Sequence, residues 1–172
     1  MRPHSKVYIG IGSNLGEPLQ QVRDVIPLLD GIRDSQLLAQ SSLYQSAPVG
    51  DIEQQDFINA VACLETSLSP VELMLELQAI EQAFYRRRDD AVKWGPRTMD
   101  LDILLFGNEQ HHDSHLTLPH PELQNRQFVL QPLHEIAGEL YLPGLGSLSF
   151  LIEQAPPLRM QRLDRPCDRD DE

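Results

Sequence analysis

The stretch Lys93–Phe106 reads KWGPRTMDLDILLF, and it supplies the strand that completes the predicted fold. Its Gly-Pro pair predicts a tight bend, after which residues 98–106 predict a strand with an apolar end. Side chains alternate along a strand, so Asp100 and Asp102 should share one face, about 7 Å apart at ~3.3 Å per residue. The opposite face is expected to consist of Met99, Leu101, Ile103 and Leu105, with Leu104 and Phe106 continuing the aspartate face.

Asp100 and Asp102 are two carboxylates on a mostly apolar strand, and they are costly to bury as bare charges. A cation should therefore lie near them. Mg²⁺ is favoured because it takes hard oxygen ligands, commonly one or two carboxylates together with substrate phosphates. Arg97 could neutralise phosphate charge, and Trp94 offers a flat apolar surface for a ring. The alternative is a strand end whose aspartates pair with arginine or face water.

The composition is that of one folded domain. The chain has 172 residues, of which 41% are hydrophobic and 23% charged. We expect a single catalytic domain over residues 1–155 and a disordered acidic tail over residues 156–172. The formal net charge of −12 argues against nucleic acid as a partner.

Several features predict a cytoplasmic protein. Apolar runs are too short for a membrane helix, and Met1–Lys6 leads into a strand without the pattern of a signal peptide. The two cysteines, Cys63 and Cys167, do not form a disulfide framework and are expected to be free thiols. We expect a monomer without a membrane partner.

The order of predicted elements is β-α-β-β-α-β, which indicates an α+β, ferredoxin-like antiparallel sheet with helices on one face. The first helix has Pro18 in its first turn and ends at Gly31, and the second begins with a capping box at Ser69. Two further helices are expected, one over residues 132–140 with Pro132 at its start and one ending near Ile152. The predicted strands are residues 6–12, 37–46, 57–66 and 98–106.

Other polar features leave alternatives open. Asn59 is a lone polar group on a mostly apolar strand face, either touching water at an edge or forming hydrogen bonds at the bottom of a pocket. Residues 86–88 are three arginines, either a solvated helix end favoured by the helix dipole or a phosphate-binding cluster. The histidines of residues 111–115 could suggest zinc, but the local composition is that of an exposed hairpin. The glycines of residues 10–16 match neither a dinucleotide fingerprint nor a Walker A loop.

Three strings of the sequence match one family. They are GSNLG at residues 12–16, FINA at residues 57–60 and, above all, RTMDLDI at residues 97–103. The chain resembles the 6-hydroxymethyl-7,8-dihydropterin pyrophosphokinases of folate biosynthesis over about residues 6–154. The resemblance implies transfer of a diphosphoryl group from ATP to the hydroxymethyl oxygen of the pterin, with release of AMP.

The resemblance also implies residue roles. Asp100 and Asp102 would hold two Mg²⁺ ions. Arg88 and either Arg86 or Arg87 would close over the phosphates of ATP from a mobile loop, and Arg97 would also act on the phosphates. The implied nucleotide contacts are Glu81, Arg97, Ile103, His115, Thr117, His120 and Arg126. The implied pterin contacts are Ser46, Ala47, Val49, Phe57, Asn59, Trp94 and Phe128.

Two other functions are compatible with the residues alone. A metal-dependent phosphohydrolase would use the same carboxylates without an acceptor. A ferredoxin-like binding module would hold a nucleotide without turnover, and Asp100 and Asp102 would then be dispensable.

Overall fold

The structure is a computed structural model that describes residues 3–47, 55–86 and 99–163, without the side chains of Tyr85 and Arg86. Among these residues, six strands form one antiparallel sheet, and two short hairpins lie beside it. The elements in chain order are β1 Ser5–Ser13, α1 Pro18–Asp30, β2 Ser35–Gln40, β3 Tyr44–Ser46, β4 Phe57–Thr66, α2 Pro70–Arg86, β5 Asp100–Phe106, β6 His111–His112, β7 Thr117–Leu118, a 3-10 helix Leu123–Asn125, α3 Gln127–Ala137, β8 Tyr141–Leu142, β9 Gly146–Ser147, α4 Leu148–Gln154 and β10 Met160–Arg162.

The sheet has the predicted ferredoxin-like order. β1 lies between β4 and β5, while β2 and β3 pair with successive parts of β4 on its other side. β10 adds a further strand beside β3. The two crossovers of the core run through α1 and α2, so the predicted β-α-β-β-α-β fold is confirmed.

Both faces of the sheet are covered, whereas the sequence predicted helices on one face. Alternate residues of β1 and β4 pack with α1 and α2 in one apolar cluster. The remaining alternate residues, including Val61 and Cys63, pack with α3 and α4 in a second cluster. The C-terminal helices therefore complete a second layer, because the inner strands of the sheet are apolar on both sides.

Local sequence features explain where the two core helices begin. Pro18 starts α1, and Gly31 follows its last residue. At the start of α2, the Ser69 N–H donates to the Glu72 carboxylate at 2.8 Å, and the Glu72 N–H donates to the Ser69 hydroxyl at 3.1 Å. This reciprocal pair is the predicted capping box.

The single strand predicted over residues 37–46 is two strands in the structure. Between β2 and β3, the Ser41 N–H donates to the Val61 carbonyl at 2.8 Å, and the Ser41 hydroxyl accepts from the Val61 N–H at 2.9 Å. A side chain thus replaces one main-chain acceptor of the ladder. The prediction missed this interruption because a buried serine in a strand pattern gives no sign of its partner.

A register shift in β5 reverses part of the predicted side-chain alternation. Tyr8 of β1 pairs with Leu105, and Ile9 pairs with Ile103, so Leu104 has no partner in β1. Beyond this β-bulge, Phe106 packs with α1 and α2, while Leu105 packs with α3 and α4. The predicted faces of Leu105 and Phe106 were therefore wrong, whereas Asp100, Asp102 and Leu104 share a cavity wall as expected.

The predicted start of the third helix was also wrong. α3 begins at Gln127 and ends before Gly138, so Pro132 lies inside it. Proline normally disfavours a helix interior because it lacks an N–H. Burial of Val129, Leu130 and Leu133 against the sheet offsets this cost.

The expectation of a disordered tail from residue 156 fails for residues 160–162. This segment is β10, which pairs with β3 in the register Met160–Ser46 and Arg162–Tyr44. The edge of β3 offers main-chain hydrogen-bond partners, which cannot be inferred from the composition of the tail. Residues 164–172 lie outside the described part of the chain.

Within the described ranges, no helix is long and apolar enough to cross a membrane.

A chain ending at Pro157 should melt roughly 5–10 °C below a matched chain ending at Leu163. The shorter chain loses the β10 ladder, the hydrogen bond from Leu163 N–H to the Leu43 carbonyl at 2.7 Å, and the packing of Leu163 on the core. Each lost hydrogen bond contributes about 1 kcal/mol to the free energy of unfolding. Thermal unfolding followed by circular dichroism measures the difference, and equal midpoints would show that β10 adds no stability.

Candidate active site

Asp100 and Asp102 lie on β5 opposite two glycines of β1. Gly12 pairs with Asp100, and Gly10 pairs with Asp102. A Cβ atom at Gly12 would lie 3.0 Å from Asn59 Oδ1, and one at Gly10 would lie 3.2 Å from Leu104 Cδ2. The glycines therefore leave an open floor beside the half-buried carboxylates, which any larger residue would fill.

A first cavity of about 470 Å³ lies over this floor, between the sheet and α3. Its wall contains both aspartates and five of the seven residues predicted to contact a pterin. Those five are Ser46, Ala47, Phe57, Asn59 and Phe128. The other two, Val49 and Trp94, lie outside the described residues.

Asn59 is buried in this cavity wall, at 4% exposure, rather than at a solvated edge. Its Nδ2 donates to the Ser46 hydroxyl at 2.9 Å. The side chain oxygen lies on the side of Gly12, where it can accept a hydrogen bond from a ligand. The structure thus decides between the two interpretations of Asn59 left open by the sequence.

Phe57 and Phe128 give the first cavity aromatic surface from the sheet and from α3. The Arg126 guanidinium lies 5.6 Å from the centre of the Phe128 ring, within the range of a cation–π contact. This end of the cavity combines flat apolar surface with a positive charge. A planar, polar heterocycle would find complementary surface here.

A second cavity, also about 470 Å³, lies on the other side of the carboxylates. It shares Asp100, Asp102 and His120 with the first cavity. Its wall includes most of the residues predicted to contact a nucleotide, namely Glu81, Ile103, His115, Thr117 and His120. Arg126 lines the first cavity instead, so the predicted nucleotide contacts are divided between the two cavities.

His120 is held at the junction of the two cavities by its backbone and its ring. The backbone N–H of His120 donates to the carbonyl of Leu104, the β-bulge residue, at 3.0 Å. Ring Nδ1 accepts from the Glu122 N–H at 3.1 Å, so the proton of a neutral ring resides on Nε2. Nε2 lies 4.0 Å from Asp102 Oδ2.

Burial lowers the pKa of His120, and the charge of Arg126 lowers it further against the opposing effects of Glu122 and Asp100. The lowered pKa favours the neutral ring at pH 7, since the ordinary pKa of histidine is already below that value. A neutral His120 presents an Nε2–H donor toward the carboxylates or toward a phosphate oxygen beside them.

Glu81 makes a main-chain contact that the sequence did not predict. Its carboxylate accepts the N–H of Leu101 at 2.7 Å. Leu101 stands between the two aspartates on β5, so α2 fixes the backbone that carries both carboxylates. Glu81 also lines the second cavity, where the predicted nucleotide contact remains a prediction.

The hairpin of β6 and β7 forms part of the second cavity. β6 pairs with β7, which confirms the predicted hairpin around the histidines. At its turn, Asp113 Oδ1 accepts the N–H groups of His115 and Leu116 at 3.0 and 2.9 Å. These bonds lower the pKa of Asp113 and fix the turn that carries His115 into the cavity wall.

The oxygen donors near β5 suit a cation that is coordinated partly by the protein and partly by a bound substrate. Over residues 3–47, 55–86 and 99–163, no group of three or more His, Cys, Asp or Glu side chains is arranged to hold a metal. Asp100 and Asp102 alone supply two hard oxygen donors. This is the protein contribution typical of Mg²⁺ bound with substrate phosphates and water.

The predicted phosphate-binding arginines cannot be placed in this site. Arg88 and Arg97 lie outside the described residues, and Arg86 is described only as the last residue of α2. Their roles stay predictions.

Some wall residues were not singled out from the sequence. Gly10 and Gly12 were placed in the predicted strand over residues 6–12 but given no role in the site, although their spacing of two places both on one face of β1. Glycines two apart in a buried strand were the signal for an open floor. Leu104, Glu122 and Asn125 gave no comparable signal, because tertiary packing alone brings them to the cavity.

Comparison with known proteins identifies the family. The family model of 7,8-dihydro-6-hydroxymethylpterin-pyrophosphokinase (HPPK) matches residues 8–138. The chain belongs to the HPPK family. Its members are diphosphotransferases, so the chain is an enzyme rather than a non-catalytic binding module.

Similar curated HPPK proteins extend over most of the chain. The 2-amino-4-hydroxy-6-hydroxymethyldihydropteridine pyrophosphokinase of Haemophilus influenzae is 43% identical over 157 residues, covering 91% of this chain and 97% of that protein. The Pseudomonas aeruginosa protein of the same name is 42% identical over 158 residues, covering 92% and 96% of the two chains.

Among solved structures, HPPK-DHPS of Plasmodium falciparum with pterin and p-hydroxybenzoate superposes with a TM-score of 0.69 at 13% identity. The match covers 89% of this chain and 43% of that one, so this chain spans less than half of its length. At this identity the likeness shows the fold alone, and it agrees with the ferredoxin-like HPPK architecture.

Replacing Glu81 with alanine should loosen β5 at Leu101. The Leu101 N–H would lose a charged acceptor, which lowers the free energy of unfolding by about 1–2 kcal/mol. Amide hydrogen exchange at Leu101 should accelerate in Glu81→Ala. Glu81→Gln keeps a side chain oxygen, so its exchange rate at Leu101 should lie between those of the parent protein and Glu81→Ala. Gln82→Ala on the exposed face of α2 is the control. Unchanged exchange at Leu101 in Glu81→Ala would rule out this contact.

Proposed function

We propose that this enzyme transfers the diphosphoryl group of ATP to the hydroxymethyl group of 6-hydroxymethyl-7,8-dihydropterin, a step of folate biosynthesis. The observation that carries the proposal is that two separate cavities share Asp100, Asp102 and His120. Such an arrangement lets two substrates meet at the carboxylates. HPPK family membership supplies the reaction class.

The first cavity is proposed to bind the pterin. Asn59 Oδ1 would accept from the ring, while its Nδ2 stays bonded to Ser46. Phe128, with Phe57 nearby and Trp94 from the undescribed segment, would hold the ring faces through stacking. Ala47 and Val49 would complete the wall. The hydroxymethyl group would then point toward Asp100 and Asp102.

The second cavity is proposed to bind ATP, with its phosphates at the junction. Ile103 and Thr117 offer apolar and hydroxyl surface, and His115 and Glu81 lie in the same wall. His120 would donate its Nε2–H to a phosphate oxygen. Arg126 would add positive charge from the side of the first cavity.

Two Mg²⁺ ions are proposed, held by Asp100 and Asp102. When bound, they would neutralise phosphate charge and help to align the reacting oxygen with the diphosphoryl group. The carboxylates fit this role because they are half-buried and open to both cavities.

The chemistry is a displacement at the β-phosphorus of ATP. The hydroxymethyl oxygen forms a bond to this phosphorus as the bond to the α,β-bridging oxygen breaks. AMP leaves, and the hydroxyl proton is released. Because phosphoryl-type transfer depends mainly on positioning and charge stabilisation, the chain's contribution is alignment of two substrates at one edge of the sheet.

Arg88, with either Arg86 or Arg87, is proposed to close over the phosphates, and Arg97 is proposed to neutralise their charge. This role rests on the resemblance of residues 97–103 and on the position of α2, which ends at Arg86. The enzyme is further proposed to act as a cytoplasmic monomer on small molecules.

The nucleotide product tests the proposal directly. Purified protein is incubated with ATP and Mg²⁺, with or without 6-hydroxymethyl-7,8-dihydropterin, and nucleotides are separated by anion-exchange chromatography. AMP formation that depends on the pterin is expected. Formation of ADP, or hydrolysis independent of the pterin, would contradict diphosphoryl transfer.

Asp100→Ala and Asp102→Ala should each lower kcat by at least about a hundredfold, because the Mg²⁺ proposed to align the phosphates would lose a protein ligand. Both variants should remain folded, since the carboxylates are only half-buried. Asp24→Ala on the exposed side of α1 is the matched control and should keep parental kcat. Near-normal kcat in either site variant would remove that aspartate from the metal site.

A further inference from the structure

A carboxylate on α3 connects the first cavity to the end of the described chain. Glu135 Oε1 accepts the Ser42 N–H at 3.0 Å and the Tyr44 hydroxyl at 2.7 Å. Glu135 Oε2 accepts the Ser42 hydroxyl at 2.8 Å. One side chain of α3 thus holds the segment that leads into β3 and the start of β3 itself.

Arg162 of β10 completes this cluster. Its Nε donates to the Ser42 hydroxyl at 3.0 Å, and its Nη2 donates to Glu135 Oε2 at 3.3 Å. Ser42 is fully buried, while the Glu135 side chain is 12% exposed. Burial alone would raise the pKa of Glu135, but the bonds from Tyr44 and Ser42 and the charge of Arg162 outweigh burial and lower it. The cluster therefore contains an ionised carboxylate at neutral pH.

The segment held by this cluster is part of the first cavity. β3 ends at Ser46, and Ser46 accepts the Asn59 amide. β10 supports the same end of β3, because Met160 pairs with Ser46 and the Ala47 N–H donates to the Arg159 carbonyl at 3.2 Å. Displacement of β3 would therefore move Ser46 and Ala47 and release Asn59 from its partner.

The second cavity has no corresponding dependence. Its described wall comes from α2, β5 and residues 113–121, and includes nothing from β3, α3 or β10. A change in the Glu135–Arg162 cluster should therefore affect the two substrates unequally.

We propose that Arg162 and Glu135 are positioning residues for the pterin, which fix Ser46 and Asn59 in the first cavity through β3. Neither side chain lines that cavity, so both act through the strand. The inference rests on the proposed function, since it assigns the first cavity to the pterin. It makes β10 a determinant of pterin affinity as well as of stability.

The test compares Arg162→Ala with the parent enzyme. KM for the pterin should rise roughly fivefold to twentyfold, as expected for loss of a hydrogen-bonded charge pair that orders the binding wall. KM for ATP should change by less than about twofold, because the second cavity is independent of β3. Arg162→Lys, which keeps the charge but lacks the planar fork, should recover part of the loss.

Arg33→Ala is the matched control. Arg33 also pairs with a glutamate, Glu76, at 3.0 Å, and its side chain is 54% exposed against 52% for Arg162. The Arg33 pair joins the α1–β2 connection to α2 on the opposite face of the sheet and lines neither described cavity. This variant should leave both KM values unchanged.

Glu135→Gln guards against loss of folding, since the amide keeps an oxygen acceptor for Ser42 and Tyr44. A selective rise in pterin KM is expected here too, with a shifted side chain amide NMR signal for Asn59. If Arg162→Ala and Glu135→Gln lower the melting temperature but leave pterin KM unchanged, or raise both KM values equally, the cluster is only structural and the inference is wrong.

Failure of the proposed function would be seen separately. It would appear in the parent enzyme, as absence of AMP formation dependent on the pterin, and the inference would then be overturned with it. A parent enzyme that is active, combined with unselective variants, would overturn the inference alone.

Discussion

The register of β5 against β1 is the constraint on which the site depends. It places Asp102 beside Gly10 and Asp100 beside Gly12, so two carboxylates face an open floor without side chains. A shift by one residue would direct both charges into the apolar cluster beneath α1 and α2, where bare charges are costly. The hydrophobic pattern of β5 thus fixes where the carboxylates lie, and both cavities are arranged around them.

The β-bulge at Leu104 extends this constraint to His120. Because Leu104 has no partner in β1, its carbonyl is directed to the His120 N–H, and the ring follows at the junction of the cavities. Glu81 acts from the other side by holding the Leu101 N–H. Two main-chain contacts, one from α2 and one from the segment after β7, therefore surround the aspartate pair.

The second helical layer gives the site its division into two cavities. α3 brings Phe128 over the sheet, Arg126 lies immediately before this helix, and Glu135 of α3 holds the strand segment that ends at Ser46. α2 and the β6–β7 hairpin form the other cavity. Substrate recognition on the two sides consequently rests on different elements, with only the junction residues in common.

The sequence by itself determined the core fold, the capping of α2, the shared face of Asp100 and Asp102, and the family. These features depend on local periodicity, on short-range hydrogen bonds, or on a contiguous string such as residues 97–103. The alternation along β4 was sufficient to place Asn59 among the possible pocket residues. The interpretation of Asn59 still needed the structure, because a strand pattern does not show which strand lies at an edge.

Only the tertiary structure decided the bulge at Leu104, the division at Ser41, the Pro132 position inside α3 and the docking of β10. Each depends on a partner distant in sequence: His120 N–H for Leu104, Val61 for Ser41, the sheet for α3, and β3 for β10. Local propensity does not indicate such partners. It wrongly favoured a helix start at Pro132 and disorder over residues 160–162. Hydrogen bonds and apolar burial between distant segments outweighed those local preferences, and the same long-range contacts assembled the two cavities from separate parts of the chain.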